Sequence, residues 1–163
     1  MHIRELQREE LPTISDLAHE IWPIAFAEIL SPPQIDYMLN WMYSQEKLTE
    51  QFDNGHHFFG GFINDKAVGF MGIEPHFPTA HSLKIHKLYV LPTLQGQGYG
   101  KAFIEQAKTE ATKNECTSLV LNVNRFNKAV QFYQHLGYTI IKEENIDIGD
   151  GYLMEDYVME QKL

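Results

Sequence analysis

The feature that most constrains this chain is a run of alternating glycines between a strand and a helix in its second half. The run, Gln-Gly-Gln-Gly-Tyr-Gly, occupies Gln95–Gly100 and follows a strand that ends at Pro92. Glycine lets the backbone approach an anion closely, and the first N–H groups of a helix have no acceptor within it. The N-terminal end of a helix also carries a partial positive charge. The segment therefore predicts a phosphate-binding turn at a helix start.

Two well-known phosphate loops do not fit this spacing. A Walker loop needs G-x-x-x-x-G-K-[ST], but Ala102 follows Lys101, and Gln95 stands where the first glycine belongs. A dinucleotide fingerprint needs G-x-G-x-x-G in the first turn of a βαβ unit, whereas these glycines alternate and lie past the middle of the chain. The remaining alternative is a helix start without a ligand, in which three glycines would cost stability with no compensation.

The hydrophobic pattern predicts the elements around this turn. Apolar residues recur at helical spacing behind Pro12 and behind Ser31, and Asn64-Asp65-Lys66 predicts a hairpin turn. The predicted helices are residues 12–25, 31–42, 45–54, 99–114 and 128–136. The predicted strands are residues 2–6, 57–63, 67–75, 82–91, 118–123, 138–148 and 152–160. This order indicates a single domain, residues 1–163, of the α+β or α/β class, with helices on both faces of a sheet.

Composition narrows the classes of partner. The formal charge of −9 argues against nucleic acid, which attracts clustered lysines and arginines, and it suits cationic substrates. No apolar run approaches the roughly 20 residues that cross a bilayer, so we expect no membrane partner. The single cysteine, Cys116, cannot form an internal disulfide, so we expect a cytoplasmic protein.

Two motifs in this order resemble the GNAT superfamily of N-acetyltransferases. Gln95, Gly98 and Gly100 fill its central [Gln/Arg]-x-x-Gly-x-[Gly/Ala] motif, and Asn127–Tyr138 resembles its helix that ends Phe-Tyr-x-x-x-Gly-[Phe/Tyr]. The resemblance implies a layered α/β/α fold with a mixed, mostly antiparallel sheet of about seven strands. It also implies acetyl transfer from acetyl-CoA, as a co-substrate, to an amine by direct attack on the thioester.

The resemblance also implies where coenzyme A binds. The residues concerned are Leu88, Tyr89, Val90, Gln95, Gly96, Gln97, Gly98, Tyr99, Gly100 and Lys101. The family's coenzyme-contacting Asn falls at Phe126, one residue before Asn127, so Asn127 either contacts the cofactor or caps the following helix. The apolar register shifts between Ile85 and Leu88, which predicts a β-bulge near His86 or Lys87. In the family such a bulge splays two strands and admits the pantetheine.

Catalysis requires a neutral amine, a polarised carbonyl and a leaving thiolate that is protonated or hydrogen-bonded. By motif position, Tyr133 is the predicted acid; the alternative is a tyrosine of the core. His86 is the predicted general base, because it stands where relatives often carry Glu, and Glu74 is a second candidate. Asn122 stands where some relatives use Glu, and an amide cannot be a base.

Three further expectations complete the sequence-based picture. His76, His81 and His86 are spaced through a turn and a strand, and we predict no metal site. Relatives commonly pair, so a homodimer through the strands at residues 138–160 is possible. The aromatic residues of the N-terminal helices either contact the acceptor or belong to the core; they are Trp22, Phe26, Tyr37, Trp41 and Tyr43.

The acceptor itself stays open at this stage. A general similarity to PaiA-type polyamine acetyltransferases implies a small cationic amine or polyamine. The alternatives are acetylation of a protein N-terminus or lysine, and a catalytically weak module that senses acetyl-CoA.

Overall fold

The computed structural model describes all residues from Met1 to Leu163 and contains one seven-stranded sheet. The strands are β1 (His2–Glu5), β2 (His57–Ile63), β3 (Lys66–Pro75), β4 (Ser82–Val90), β5 (Ser118–Asn124), β6 (Thr139–Gly149) and β7 (Tyr152–Lys162). The helices are α1 (Pro12–Ala25), α2 (Pro32–Met42), α3 (Gln45–Asp53), α4 (Tyr99–Lys113) and α5 (Ala129–His135). Short 3-10 turns lie at Arg8–Glu10 and Pro92–Leu94.

The sheet order is β1-β2-β3-β4-β5-β7-β6, and the pairing of β4 with β5 is parallel. The pairs β1–β2, β2–β3, β5–β7 and β6–β7 are antiparallel. The predicted mixed, mostly antiparallel sheet of about seven strands is confirmed. Every predicted helix and strand is present, with bounds that differ by no more than two residues. None of the helices is long and apolar enough to span a bilayer.

The chain divides into two compact units. The first contains Met1–Glu74 and His86–Ala107, and the second contains Pro75–Ile85 and Lys108–Leu163. The boundary between them passes through β4 and through α4. The prediction of a single domain stays a prediction.

The first unit packs one face of α1 and α2 into an aromatic core. Pro12 starts α1 at a position where a missing N–H costs little, and the Ser31 hydroxyl caps α2 by accepting the Gln34 N–H at 3.3 Å. The side chains of α1 that are buried are Ile14, Leu17, Ala18, Ile21 and Trp22. Each large apolar side chain buried in this way contributes about 1.5–3 kcal/mol.

The aromatic residues of these helices divide between core and surface. Trp22 packs against Tyr43 and Tyr89, with ring centroids 5.6 Å apart in both pairs. Trp22, Phe26 and Tyr43 are buried, which is the core alternative weighed from the sequence. Trp41 is exposed.

The second unit is built around β5. Residues Ser82–Ile85 of β4 pair with Ser118–Leu121 of β5, and β7 pairs along the other edge of β5 from Ser118 to Asn124. The apolar side chains Leu119, Leu121 and Val123 alternate on one face of β5 and are buried. The long hairpin of β6 and β7 turns at Gly149-Asp150-Gly151, where all three φ angles are positive.

Lys87 is an unusual member of the first unit's core. Its side chain is buried, and its Nζ lies 5.0 Å from the centroid of the Tyr43 ring. Burial, reinforced by the charge of Lys47, lowers the pKa of Lys87 from 10.5 to about 8. The lowered pKa means that folding disfavours the charged form of Lys87 by roughly 3 kcal/mol. The cation–π contact with Tyr43 offsets part of this, because such a contact contributes up to about 2 kcal/mol when it is desolvated.

We predict that Lys87→Met stabilises the protein at pH 7, by about 1–2 kcal/mol once the lost cation–π contact is subtracted. Because the folded pKa is lowered, the wild type should gain stability as the pH rises from about 8 to 10.5, and the advantage of the variant should shrink over that window. Urea midpoints measured from pH 7 to 10.5 test this. Lys66→Met, at an exposed lysine of the β2–β3 hairpin, is the control and should show no such trend.

Candidate functional site

The glycine turn is open to solvent and leads directly into α4. Gly96 and Gly98 have φ angles of +78° and +84°, a region that side-chain-bearing residues rarely adopt. A Cβ added at either glycine would meet no atom within 4 Å, so the space in front of this backbone is empty. Gly100 is helical, since α4 begins at Tyr99. The turn is thus free to receive a ligand.

The backbone N–H donors of this turn lie in surroundings that favour a bound anion. The Ala102 N–H bonds to the Gly98 carbonyl at 3.1 Å, so the N–H groups of Tyr99, Gly100 and Lys101 precede the first helical hydrogen bond of α4. Between Pro92 and Lys101 the only charged side chain is that of Lys101, in a protein whose formal charge is −9. A phosphate group here would meet helix N–H donors and one cation, with no carboxylate from the turn.

The end of β4 that precedes this turn lies close to the backbone of β3. The Leu91 N–H donates to the Val68 carbonyl at 2.9 Å. A Cβ at Gly69 would lie 2.8 Å from the carbonyl oxygen of Tyr89, so only glycine fits opposite this point. Leu88 and Tyr89 are half-buried and Val90 is buried.

A break in strand alternation precedes this segment, at His86 and Lys87. Glu74 and Gly72 are two residues apart on β3 and share a face of the sheet. His86 bonds to Glu74, while Cδ of Lys87 lies 3.5 Å from the position of a Cβ on Gly72. Two consecutive residues of β4 therefore present their side chains to one face, as residues of a β-bulge do. These contacts agree with the bulge predicted from the apolar register.

The two candidate bases named from the sequence are bonded to each other. His86 Nε2 lies 2.8 Å from Oε2 of Glu74, and the same oxygen lies 3.3 Å from Nε2 of His56. A carboxylate accepts hydrogen bonds, so each Nε2 carries a hydrogen, and the unprotonated nitrogen of neutral His86 is Nδ1. His86 and Glu74 thus form one acid–base unit.

His56 is the member of this cluster that sequence reasoning missed. Its ring stacks on that of His86, with centroids 4.6 Å apart and 21° between the planes. Burial lowers the pKa of His56 to about 4, and the charge of His86 adds to the effect, so His56 is neutral at physiological pH. The neighbouring His57 bonds instead to Glu5 at the surface. The cluster joins residues from three separate segments, which no local spacing reveals.

Tyr133 lies in the second unit, on α5. Its side chain is buried, and its ring packs edge-on against Tyr138 with centroids 5.5 Å apart. Burial raises the pKa of Tyr133, so the phenol stays protonated and remains a hydrogen-bond donor. The structure therefore shows the core contacts weighed from the sequence, together with the protonation state that an acid requires.

Asn127 stands at the start of α5. Its Oδ1 accepts the Ala129 N–H at 2.9 Å, which is the capping role weighed from the sequence. A contact of Asn127 with the cofactor stays a prediction. Phe126, at the position of the family's asparagine, is exposed.

A second polar cluster, also missed from the sequence, surrounds Asn122 in the second unit. Its Oδ1 accepts from the ammonium of Lys84, and its Nδ2 donates to Glu144 at 3.2 Å and to Asp156 at 3.3 Å. Burial lowers the pKa of Lys84 and raises that of Asp156. Asn122 thus joins one cation to two carboxylates on β6 and β7. Period-two alternation of polar residues on β5 and β7 is the only sequence signal for it.

Comparisons with known proteins bear on the family and the fold. The acetyltransferase (GNAT) family model matches residues 12–138. The chain is 26% identical, over 99% of its length and 97% of the relative, to a spermidine N(1)-acetyltransferase of Thermoplasma acidophilum.

Two solved structures share the fold over nearly the whole chain. One is the PaiA N-acetyltransferase of Thermoplasma acidophilum in complex with coenzyme A, with a TM-score of 0.82, 27% identity, and 99% and 98% of the two chains covered. A GCN5-related N-acetyltransferase of Rhodopseudomonas palustris has a TM-score of 0.85 at 17% identity, with 99% and 95% covered. At that identity the second similarity supports the fold alone.

Proposed function

The chain belongs to the GNAT family of acetyltransferases, and on that premise we propose that it acetylates a small cationic amine, most simply a polyamine, from acetyl-CoA. Membership of the family makes it an acyltransferase. The acceptor class is supported by the similarity to a spermidine acetyltransferase and by the formal charge of −9. The single, buried Cys116 suits a cytoplasmic enzyme.

The observation that carries this proposal is the empty, donor-rich turn at Gly96 and Gly98. Both glycines hold positive φ angles with no atom of the protein in front of them, and α4 begins at the next residue. We assign the pyrophosphate of coenzyme A to the N–H groups of this turn, with Gln95, Gln97 and Lys101 at its edges. The relative in complex with coenzyme A supports this ligand.

We assign the pantetheine arm and the thioester to the backbone of Leu88, Tyr89 and Val90. β4 pairs with β5 from Ser82 to Ile85, up to the bulge at His86 and Lys87. A backbone N–H in the segment after the bulge would polarise the thioester carbonyl as negative charge develops on its oxygen.

Proton transfer follows from the His86–Glu74 unit. The ammonium of the acceptor loses a proton to Nδ1 of His86, and the carboxylate of Glu74 stabilises the imidazolium through Nε2. The neutral amine attacks the thioester carbon, so that an N–C bond forms and the C–S bond breaks, and the nitrogen releases its second proton to solvent as the amide forms. Tyr133 gives its proton to the departing thiolate and regains one from solvent.

Members of the family commonly form dimers, and we extend the proposal to a homodimer of this chain. On the β6–β7 hairpin, the apolar side chains Ile140, Ile141 and Leu153 are exposed. Burial of this surface against a second copy would remove apolar area from water. Sedimentation of the purified chain measures the state directly.

A thiol-release assay tests the function as a whole. Acetyl-CoA would be offered with polyamines, amino acids, aminoglycosides and peptides, and polyamines should give the highest kcat/KM. Turnover only on peptides would replace the acceptor class with a protein substrate. Binding of acetyl-CoA with no turnover on any amine would identify a sensor.

We predict that Gly98→Val weakens coenzyme A binding by at least about tenfold, since its side chain would occupy the space in front of the donors. Gly55→Val is the matched control, because Gly55 also has a positive φ of +92° with no atom within 4 Å of a Cβ. Both variants carry similar backbone strain. A loss of affinity in Gly98→Val alone would therefore come from the blocked ligand space and not from the strain. Calorimetric titration with coenzyme A measures both. Equal affinities would refute the assignment of the turn.

We predict that Tyr133→Phe lowers kcat by roughly 10–100-fold, because the phenol proton is lost, and leaves coenzyme A affinity unchanged. The phenyl ring keeps the contact with Tyr138, so the fold should persist. Tyr138→Phe removes the hydroxyl of the neighbouring ring and serves as the control. A wild-type kcat for Tyr133→Phe would exclude the acid role.

We predict that His86→Gln lowers kcat/KM about a hundredfold at pH 7, because the proton acceptor is lost while the amide can still bond to Glu74. The remaining rate should climb with pH, since the fraction of neutral amine grows toward an acceptor pKa of about 10.4. His57→Gln changes an exposed histidine one residue from His56 and should behave as wild type. A flat pH profile for His86→Gln, or a rate equal to that of the wild type at pH 7, would show that another residue is the base.

A further inference from the structure

We propose that His56, Glu74 and His86 bind a divalent transition-metal ion of the zinc class, and that its binding switches acetyl transfer off. The three side chains come from the residue before β2, the end of β3 and the bulge of β4. One ligand atom from each lies within 4.8 Å of the other two. The second half of the proposal rests on the proposed function, while the binding site itself does not.

The distances suit a metal of this size. Oε2 of Glu74 lies 2.8 Å from His86 Nε2 and 3.3 Å from His56 Nε2. In a tetrahedral zinc site with bonds of about 2.0–2.1 Å, neighbouring ligand atoms stand roughly 3.3 Å apart. A zinc ion would therefore replace the shared hydrogens with small shifts of the side chains.

One ring must turn, and the structure indicates which. The imidazoles are stacked with 21° between their planes, so the two lone pairs cannot both aim at one ion as they stand. His56 is bound to its partner only by the 3.3 Å contact with Glu74, and its Nδ1 is buried with no hydrogen-bond partner. Rotation of His56 therefore loses one long polar contact and its ring stacking on His86 and Phe58, and it can offer either nitrogen to the metal.

The donor set selects the class of cation. Two imidazoles and one carboxylate are ligands that zinc, cobalt and nickel accept, whereas magnesium and calcium prefer oxygen alone. A fourth position would hold water. The buried ammonium of Lys87 acts on His56 electrostatically and opposes a second cation, which favours reversible over permanent binding.

Occupation of the site would remove the proposed base. A metal on Nε2 of His86 displaces the hydrogen from that nitrogen, and the neutral imidazole then carries its hydrogen on Nδ1. Nδ1 can no longer accept the proton of the acceptor amine. Inhibition by zinc is therefore the expected consequence of a tautomer change, with no movement of the backbone.

Calorimetric titration of the metal-free full chain with Zn²⁺ tests the site, and Co²⁺ absorption reports its coordination. We expect one equivalent bound by the wild type, and at least about tenfold weaker binding by His56→Ala and by Glu74→Gln. His57→Ala is the matched control, because His57 is exposed and pairs with Glu5 outside the cluster. Equal binding by all variants, or no binding by the wild type, overturns the site.

The activity measurement separates the two halves of the proposal. Zn²⁺ should inhibit the wild type and His57→Ala alike, and His56→Ala should turn over in its presence. If zinc binds in one equivalent but turnover is unchanged, the inhibitory role is wrong. If zinc binds and no amine is acetylated, the metal site stands and the proposed function falls.

Discussion

The bulge of β4 is the constraint on which the rest of the first unit depends. It places His86 and Lys87, consecutive in sequence, on the face that carries Glu74 and Gly72. A regular strand would send one of them to the opposite face. The bulge thereby places a hydrogen-bonded histidine and a buried ammonium at neighbouring positions. Both groups lose contact with water there, which costs desolvation free energy.

Those costs are electrostatic, and the surroundings reduce them in different ways. The Lys87 ammonium faces the Tyr43 ring, which offsets part of its desolvation but leaves its pKa lowered to about 8. The His86 ring instead has a polar partner, because its Nε2 lies 2.8 Å from a carboxylate oxygen of Glu74. Lys87, whose pKa is lowered by burial, thus lies beside the segment assigned to the thioester, and perturbed groups are common where chemistry takes place.

Patterns of neighbouring residues in the sequence predicted most of the fold and, in the candidate site, the glycine turn and the bulge of β4. The helices and strands were predicted from the spacing of apolar residues and from capping residues such as Ser31. The glycine turn was predicted because a phosphate binds where glycines precede the N-terminus of a helix. The bulge was visible because the apolar register shifts by one residue. His56 was not predicted as a partner of His86, because their meeting is set by strand pairing across the sheet and not by spacing along the chain.

The Asn122 cluster bears on the identity of the base by elimination. Both ends of the Asn122 amide are occupied, by Lys84 on one side and by Glu144 and Asp156 on the other. The hydrogen bond from Lys142 lowers the pKa of Glu144, which makes it a weaker proton acceptor. Burial raises the pKa of Asp156, but its side chain is 4% exposed and already bonded to Asn122. Neither the amide nor either carboxylate of this cluster therefore suits the base, and the assignment of the base to His86 stays a prediction.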